Sequence, residues 1–162
     1  MLNITLKDGA VREVAEGTSI ADFVKSVSNS LAKKVLAAKL DGKTVDLATP
    51  LEKDAKVEFL TFEDADGRWA LRHTASHILA QALKRLYKDE NVKLAIGPAI
   101  DNGFYYDIDP AGNSITAADF PRIEAKMLEL ARTANPVVRR DISKADALKL
   151  FGELVDELEE LM

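Results

Sequence analysis

Two Asp-Gly pairs, each set between short runs of alternating apolar residues, constrain the first third of this chain more than any other feature. Asp-Gly supplies the positive backbone angles of a tight hairpin turn, so each pair predicts a reversal between two strands. Before Asp8-Gly9, the residues Leu2, Ile4 and Leu6 alternate with polar ones, as a half-buried strand should. Val11 to Ala15 is the expected return strand, with poorer alternation. Leu36, Ala38 and Leu40 lead into Asp41-Gly42, and Val45 and Leu47 fall on the far side. Between the hairpins, Ser19 is a good helix N-cap with Asp22 three residues on, and Ile20, Phe23, Val24 and Val27 follow at helical spacing. Pro50 breaks the chain, and Val57, Phe59 and Thr61 then alternate with Glu58, Leu60 and Phe62 in a closing strand. Hairpin, helix, hairpin and closing strand predict a small sheet with one helix packed on it, an α+β arrangement.

Glu63 to Gly67 is acidic and free of large apolar groups, so the sequence places a linker and a domain boundary there, between residues 1–62 and 63–162. The second segment opens with a helix expected over about Arg68 to Tyr87, with Leu71, Ala75, Ile78, Leu79, Ala82 and Leu86 as its apolar stripe. Val92, Leu94 and Ile96 alternate as a strand, Gly97-Pro98 reads as a turn, and Asn102-Gly103 as a second turn. Phe104, Tyr106 and Ile108 alternate with Tyr105, Asp107 and Asp109 in another strand. A helix is expected over about Pro121 to Thr133, with Ile123, Met127, Leu130 and Ala131 on one face, stopped by Asn135-Pro136. Val137 to Arg140 reads as a short strand, Ser143 with Asp146 as the cap of another helix, and Leu154, Val155, Leu158 and Leu161 as a final amphipathic stretch.

The net charge of −5 is local: residues 1–62 carry nine bases and nine acids, residues 63–151 thirteen of each, and residues 152–162 five acids and no base. There is therefore no basic footprint for tight nucleic-acid binding. No apolar run reaches the roughly 18 residues of a membrane span, and the N-terminus lacks the pattern of a secretory signal. With no cysteine, disulfides, thiolate nucleophiles and Cys-containing zinc sites are excluded from this sequence.

The two histidines, His73 and His77, lie four apart inside the expected helix, stacked on one face that also carries Ala80 and Lys84 and points away from the apolar stripe. Two imidazoles so placed hold a metal, or a water and a reacting group, or are solvated surface. A zinc-protease motif needs Glu directly after the first histidine, and Thr74 stands there. A third metal ligand would have to be a carboxylate such as Asp101, Asp107 or Asp109, so a complete metal site within this chain is not expected. Gly97 to Asp107 joins turn signals to an aromatic strand, in which Tyr105 and Tyr106 must face opposite sides.

Residues 1–62 resemble the TGS domain, a ubiquitin-like β-grasp module, through Leu6-Lys7-Asp8-Gly9, Gly17-Thr18-Ser19, Leu31-Ala32-Lys33-Lys34, Leu40-Asp41-Gly42, Val45-Asp46-Leu47 and Val57-Glu58-Phe59-Leu60. Residues 68–151 resemble the start of the second N-terminal domain of bacterial threonyl-tRNA synthetases, through Leu71-Arg72-His73-Thr74-Ala75-Ser76-His77-Ile78-Leu79-Ala80 and Leu94 to Asp107. The resemblance implies a β-grasp domain followed by part of a mixed α+β editing domain, which hydrolyses serine wrongly esterified to threonine tRNA. It implies that His73, His77 and Tyr106 are catalytic residues of the editing pocket and that Gly97 lines it and binds substrate. It implies a parent threonine–tRNA ligase with ATP, magnesium and zinc in a catalytic core outside this sequence, no cofactor or metal here, and contact with the acceptor end of threonine tRNA and the rest of the synthetase. A homodimeric, cytoplasmic parent with no membrane contact is implied too. The family completes its pocket with a further lysine, aspartate, cysteine and histidine downstream. This sequence has no cysteine, no other histidine and no lysine after Lys149, so the chain alone is expected not to edit. The competing readings are a non-catalytic TGS-type module that binds RNA or protein, and a small histidine-based metal hydrolase.

Overall fold

The structure, a computed structural model, describes residues 1–87, 92–135 and 140–150. The chain divides into two compact units, Met1–Arg132 and Thr133–Met162.

In the first unit, β1 (Leu2–Leu6) turns at Asp8-Gly9 into antiparallel β2 (Val11–Val14) and runs parallel to β5 (Ala55–Leu60). Strand β3 (Ala37–Leu40) pairs antiparallel with β5 and with β4 (Lys43–Val45), giving the order β2-β1-β5-β3-β4. Asp41 and Gly42 have φ of 50° and 84°, the doubly positive pair that a two-residue hairpin requires. Helix α1 (Ile20–Val27) starts at Ser19, whose hydroxyl accepts the Asp22 N–H at 3.1 Å and donates to the Asp22 carboxylate at 2.8 Å. Ile20 and Phe23 of α1 meet Ile4, Leu6, Val14, Ala38, Leu51 and Val57 in one buried core, with Phe59 tilted against Phe23 at 5.8 Å. This is the β-grasp arrangement expected from the sequence. A second helical turn, α2 (Asn29–Ala32), capped by the Ser28 hydroxyl, follows α1 and was not among the expected elements.

The stretch 63–67 is a packed junction and not a free linker. Helix α3 spans Ala65–Leu86, three residues earlier than the periodicity indicates, so Ala65, Asp66 and Gly67 of the presumed linker are its first turn. Asp64 accepts the Thr61 N–H at 2.8 Å and the Thr61 hydroxyl at 3.2 Å, folding the chain back on the end of β5. Asp66 takes the Lys39 ammonium at 2.9 Å and the Thr44 hydroxyl at 3.1 Å, tying the helix start to β3 and β4. The Arg68 guanidinium donates to the Phe62 and Glu63 carbonyls at 3.0 and 2.8 Å. Gly67 is buried, and a methyl group there would overlap the Thr61 carbonyl oxygen and lie 2.8 Å from its carbon.

After α3 come β6 (Lys93–Leu94), β7 (Ala99–Ile100), β8 (Gly103–Phe104) and β9 (Ile108–Asp109). Strands β6 and β9 pair antiparallel, as do β7 and β8, so residues 93–109 form one long interrupted hairpin with its tip at Asp101-Asn102. The expected Gly97-Pro98 turn is absent: both residues stay within the hairpin arm, where the Pro98 carbonyl accepts the Tyr105 N–H at 3.1 Å. A 3-10 turn (Ala117–Asp119) leads into α4 (Phe120–Arg132). The turn carries a capping box that the sequence reading missed, with the Asp119 carboxylate accepting the Thr116 N–H at 2.9 Å. Helix α4 buries Ile123 and Leu130 and half-buries Met127, while Ala131 is exposed. In the second unit, residues 144–150 are helical and Ser143 with Asp146 caps them as expected. The strand expected at Val137 to Arg140 and the acidic amphipathic end at Gly152 to Met162 lie outside the described residues, Arg140 excepted.

Two predictions concern the junction. Gly67→Ala improves helix propensity yet should destabilise the chain by about 1–3 kcal/mol in urea unfolding, because the added methyl forces α3 off β5. Unchanged stability would mean that the close approach is not a constraint. The Thr61 N–H, and then the Thr61 hydroxyl, hold the Asp64 carboxyl below its ordinary value. A depressed carboxyl contributes stability above the unfolded pKa and loses it as pH falls through the folded one. The destabilisation by Asp64→Asn at neutral pH should therefore shrink on acidification below about pH 4. A pH-independent difference would show that the carboxylate's charge is not what Thr61 holds.

Candidate functional site

Helix α3 packs on α4 and on the β7–β8 tip of the hairpin. The residues it buries are small: Gly67, Ser76, Ala80 and Ala82, with Leu83. The Ser76 hydroxyl, fully buried, is satisfied by the His73 carbonyl at 2.7 Å. The expected stripe is therefore displaced. Leu71 is exposed, Ala75, Ile78 and Leu79 are half-buried, and Ala80, assigned to the histidine face, is in the interior. The histidines border the buried row instead of opposing it: His73 is half-buried and His77 exposed.

The two imidazoles meet. Their Nε2 atoms are 3.1 Å apart, with ring planes at 89° and centroids 4.6 Å apart. One Nε2 must carry hydrogen and the other a lone pair for this contact to be a hydrogen bond between neutral rings. One turn earlier, the Trp69 indole lies flat on His73, with centroids 5.0 Å apart and planes at 6°. Trp69, His73 and His77 thus form one row at i, i+4 and i+8. Trp69 was legible in that spacing, but its role was not read from the sequence.

The hairpin brings Gly97 and Tyr106 together. Pairing sums to one register at Lys93↔Asp109 and to a register one residue longer at Ala99↔Phe104. The shift falls where Ala95 N–H donates to the Asp107 carbonyl at 3.0 Å and Asp107 N–H to the Ile96 carbonyl at 2.9 Å, so two residues face one. This bulge reverses the expected alternation. Val92 is buried and Leu94 half-buried, but Ile96 is 67% exposed, and Gly97 and Ala99 take the inward positions. Gly97 then stands opposite Tyr106, whose ring folds over it. A methyl group at Gly97 would overlap that ring and lie 3.0 Å from the Tyr105 carbonyl oxygen. Tyr106 is half-buried and Tyr105 64% exposed, so the two do face opposite ways.

Two cations of α3 hold this hairpin by its backbone. The Arg72 guanidinium donates to the Ile100 carbonyl at 3.1 Å and also to the Asp101 carbonyl. The Lys84 ammonium donates to the Val92 carbonyl. Among the described residues, no hydrogen bond or ring contact joins the His73–His77 pair directly to the Gly97–Tyr106 pair; the link is through α3 and these two anchors. Also among the described residues, no group of three or more His, Cys, Asp or Glu side chains is arranged to hold a metal ion. No helix among them is long and apolar enough to cross a membrane.

Gly97→Ala should displace the Tyr106 ring and cost about 1–3 kcal/mol of stability. In a Tyr106→Ala background the same change should cost measurably less, because the pair is in direct contact. Additive losses in a denaturation cycle would disprove that contact. Arg72→Ala should speed hydrogen exchange at the Ala95, Tyr105 and Asp107 amides while leaving the β1–β5 amides protected. Equal exchange in the hairpin of both proteins would remove Arg72 as its anchor.

The TGS domain family matches residues 2–61, covering the β-grasp sheet and α1. Over 99% of its length the chain is 46% identical to a threonine–tRNA ligase of Parabacteroides distasonis and 47% identical to one of Bacteroides fragilis, covering 26% of each. Over 94% of its length it is 52% identical to a threonine–tRNA ligase of Clostridium botulinum, covering 24% of that protein. The chain spans about a quarter of the length of the curated relatives it matches. It carries a TGS domain and is homologous, over nearly all its residues, to the N-terminal region of bacterial threonine–tRNA ligases.

Proposed function

We propose that this chain is the N-terminal tRNA-handling and proofreading region of a threonine–tRNA ligase. The parent protein charges threonine tRNA with threonine, and the second segment serves hydrolysis of seryl-tRNA. The observation that carries the reading is the contact between the His73 and His77 Nε2 atoms, 3.1 Å apart on the helix of a chain homologous to these ligases. A binding scaffold has no need of two facing imidazoles. Two such rings suit a hydrolysis, because one accepts a proton from water while the other orients that water or the ester.

In this reading, water's oxygen bonds to the ester carbon as an imidazole takes its proton. The bond from that carbon to the terminal ribose oxygen then breaks, and the proton passes to the departing oxygen. Serine lacks only a methyl group of threonine, a difference worth about 1–3 kcal/mol in binding, so a second site that admits only the smaller side chain is required. Gly97 and the Tyr106 ring that covers it are the residues that family resemblance assigns to the wall of that sieve. The acceptor end of threonine tRNA and the remainder of the synthetase are the proposed partners, with a cytoplasmic, homodimeric parent. ATP, magnesium and zinc belong to the aminoacylation core in this reading. Among the described residues no group of three or more His, Cys, Asp or Glu side chains is placed to hold a metal.

Ester hydrolysis also needs groups that stabilise the developing oxyanion, and the lysine, aspartate, cysteine and histidine implied by family resemblance are not in this sequence. Catalytic groups that act as a unit lose most of their effect when members are missing. Residues 1–162 alone should therefore deacylate seryl-tRNA for threonine at near the background rate. A ligase extended through the whole editing domain should hydrolyse it rapidly, and His73→Ala with His77→Ala should abolish that hydrolysis while sparing threonylation. Hydrolysis surviving the double substitution would refute the site. Binding of the tRNA without hydrolysis by the extended protein would favour the non-catalytic module.

A further inference from the structure

We infer that Trp69 is a positioning residue for the histidine pair: its indole fixes the plane of the His73 ring, and through it the single hydrogen bond by which the two imidazoles take opposite tautomers. The inference rests on the proposed hydrolytic role of the pair for its meaning, but not for its test.

The geometry is a chain of three rings. A side chain at i+4 lies directly above that at i on a helix, so Trp69 sits under His73 and His73 under His77. A histidine on an exposed helix face has free rotation about its second side-chain torsion, whose preference is broad. Here that freedom is removed on one side. The indole and the His73 imidazole are parallel to within 6° at 5.0 Å, a stack that holds only if the His73 ring keeps one plane. With the plane set, the His73 Nε2 edge is aimed along the helix at His77, whose ring stands at 89° to it with Nε2 at 3.1 Å.

The contact has a chemical consequence. Between neutral rings, an Nε2–Nε2 hydrogen bond needs one ring protonated at Nε2 and the other protonated at Nδ1, with a free Nε2 lone pair. The pair therefore presents, at its two Nδ1 positions, one acceptor and one donor, and not two equivalent imidazoles. With both Nε2 atoms engaged, the bare Nδ1 of the donor ring takes the proton, and that ring can then pass its Nε2 hydrogen across the shared contact to the partner's Nε2. That is the arrangement that removing a proton from water and returning it to a leaving oxygen requires. Trp69 is 54% exposed, so it contributes little to the core, and this separates a positioning role from a packing one. The residue is also the only tryptophan of the chain, which makes the stack directly observable.

The test uses the 162-residue chain and long-range nitrogen–proton NMR of the imidazoles, at alkaline pH so that both rings are neutral. The expected wild-type result is two different tautomers, one at each histidine, with the carbon-bound protons of His73 shifted upfield by the indole. Trp69→Ala should abolish that upfield shift and merge the two histidines into one common, averaged tautomer pattern. Trp69→Phe should keep both signatures, since a benzene ring can make the same stack. A merely structural tryptophan would change stability without changing the tautomers. Identical tautomers at both histidines in the wild type would overturn the inference outright, whether or not any variant folds. So would distinct tautomers that survive Trp69→Ala. Failure of the extended ligase to deacylate seryl-tRNA, with the two-tautomer pattern intact and dependent on Trp69, would instead count against the functional reading alone.

Discussion

The close approach of Gly67 to the Thr61 carbonyl is the constraint from which the placement of helix α3, and with it the Trp69–His73–His77 row, follows. Helix α3 begins where β5 ends, and only a residue without a side chain lets its first turn lie on the strand's last carbonyl. Asp64 and Asp66 then lock that turn against β5, β3 and β4 from two sides. Lys39 and then Thr44 hold the Asp66 carboxyl low, and Asp66 raises the Lys39 ammonium in return. Both side chains remain open to water, so their energetic worth is small, and they add to the Gly67 approach in setting the rotation of α3 about its own axis. A helix advances by 100° per residue, so fixing the rotation at Gly67 fixes the direction in which Trp69, His73 and His77 leave. The β-grasp sheet is, in this sense, the foundation of the histidine row.

Most of the sheet was legible because its signals are local. Asp-Gly turns, strict alternation in β1 and the Ser19 cap each act within a few residues, and the structure returns all three. The start of α3 was missed for an instructive reason. Polar acidic residues read as linker, yet acids in a first turn also complement the helix dipole, and composition alone does not separate the two. The helix stripe was misplaced because the polar Ser76 and the small Ala80 gave no apolar signal for the face they bury. The interior row is Ser76, Ala80 and Leu83, of which the first two are small and let neighbouring elements come close, while Leu71 faces water. The bulge at Ala95-Ile96 left one trace, a glycine inside an alternating segment, and that was read as a turn.

The candidate site was legible as a list of residues but not as an arrangement. The spacing of His73 and His77 forecast that the rings share a face; it did not forecast that their Nε2 atoms meet or that an indole supports one of them. Likewise, family resemblance named Gly97 and Tyr106 without the reason they belong together. That reason is the one-residue register shift, which moves Ile96 outward and puts Gly97 opposite Tyr106. Without the shift, an isoleucine would occupy the inward position and the tyrosine ring would have nothing flat to cover.

How the hairpin is held explains why it can be both well placed and chemically adaptable. Arg72 and Lys84 bind main-chain carbonyls at Ile100, Asp101 and Val92, and none of these contacts depends on a hairpin side chain. The identity of residues along the arm can change without releasing it, provided the bulge and the glycine stay. The converse holds on the helix. One guanidinium nitrogen of Arg72 donates to two neighbouring carbonyls, whereas the Lys84 ammonium holds one. Arg72 also directly precedes His73, and so the anchor of the hairpin tip and the first ring of the pair are set by adjacent positions of a single helix turn. The two halves of the candidate site are thus joined through the Arg72 side chain, on the residue next to His73.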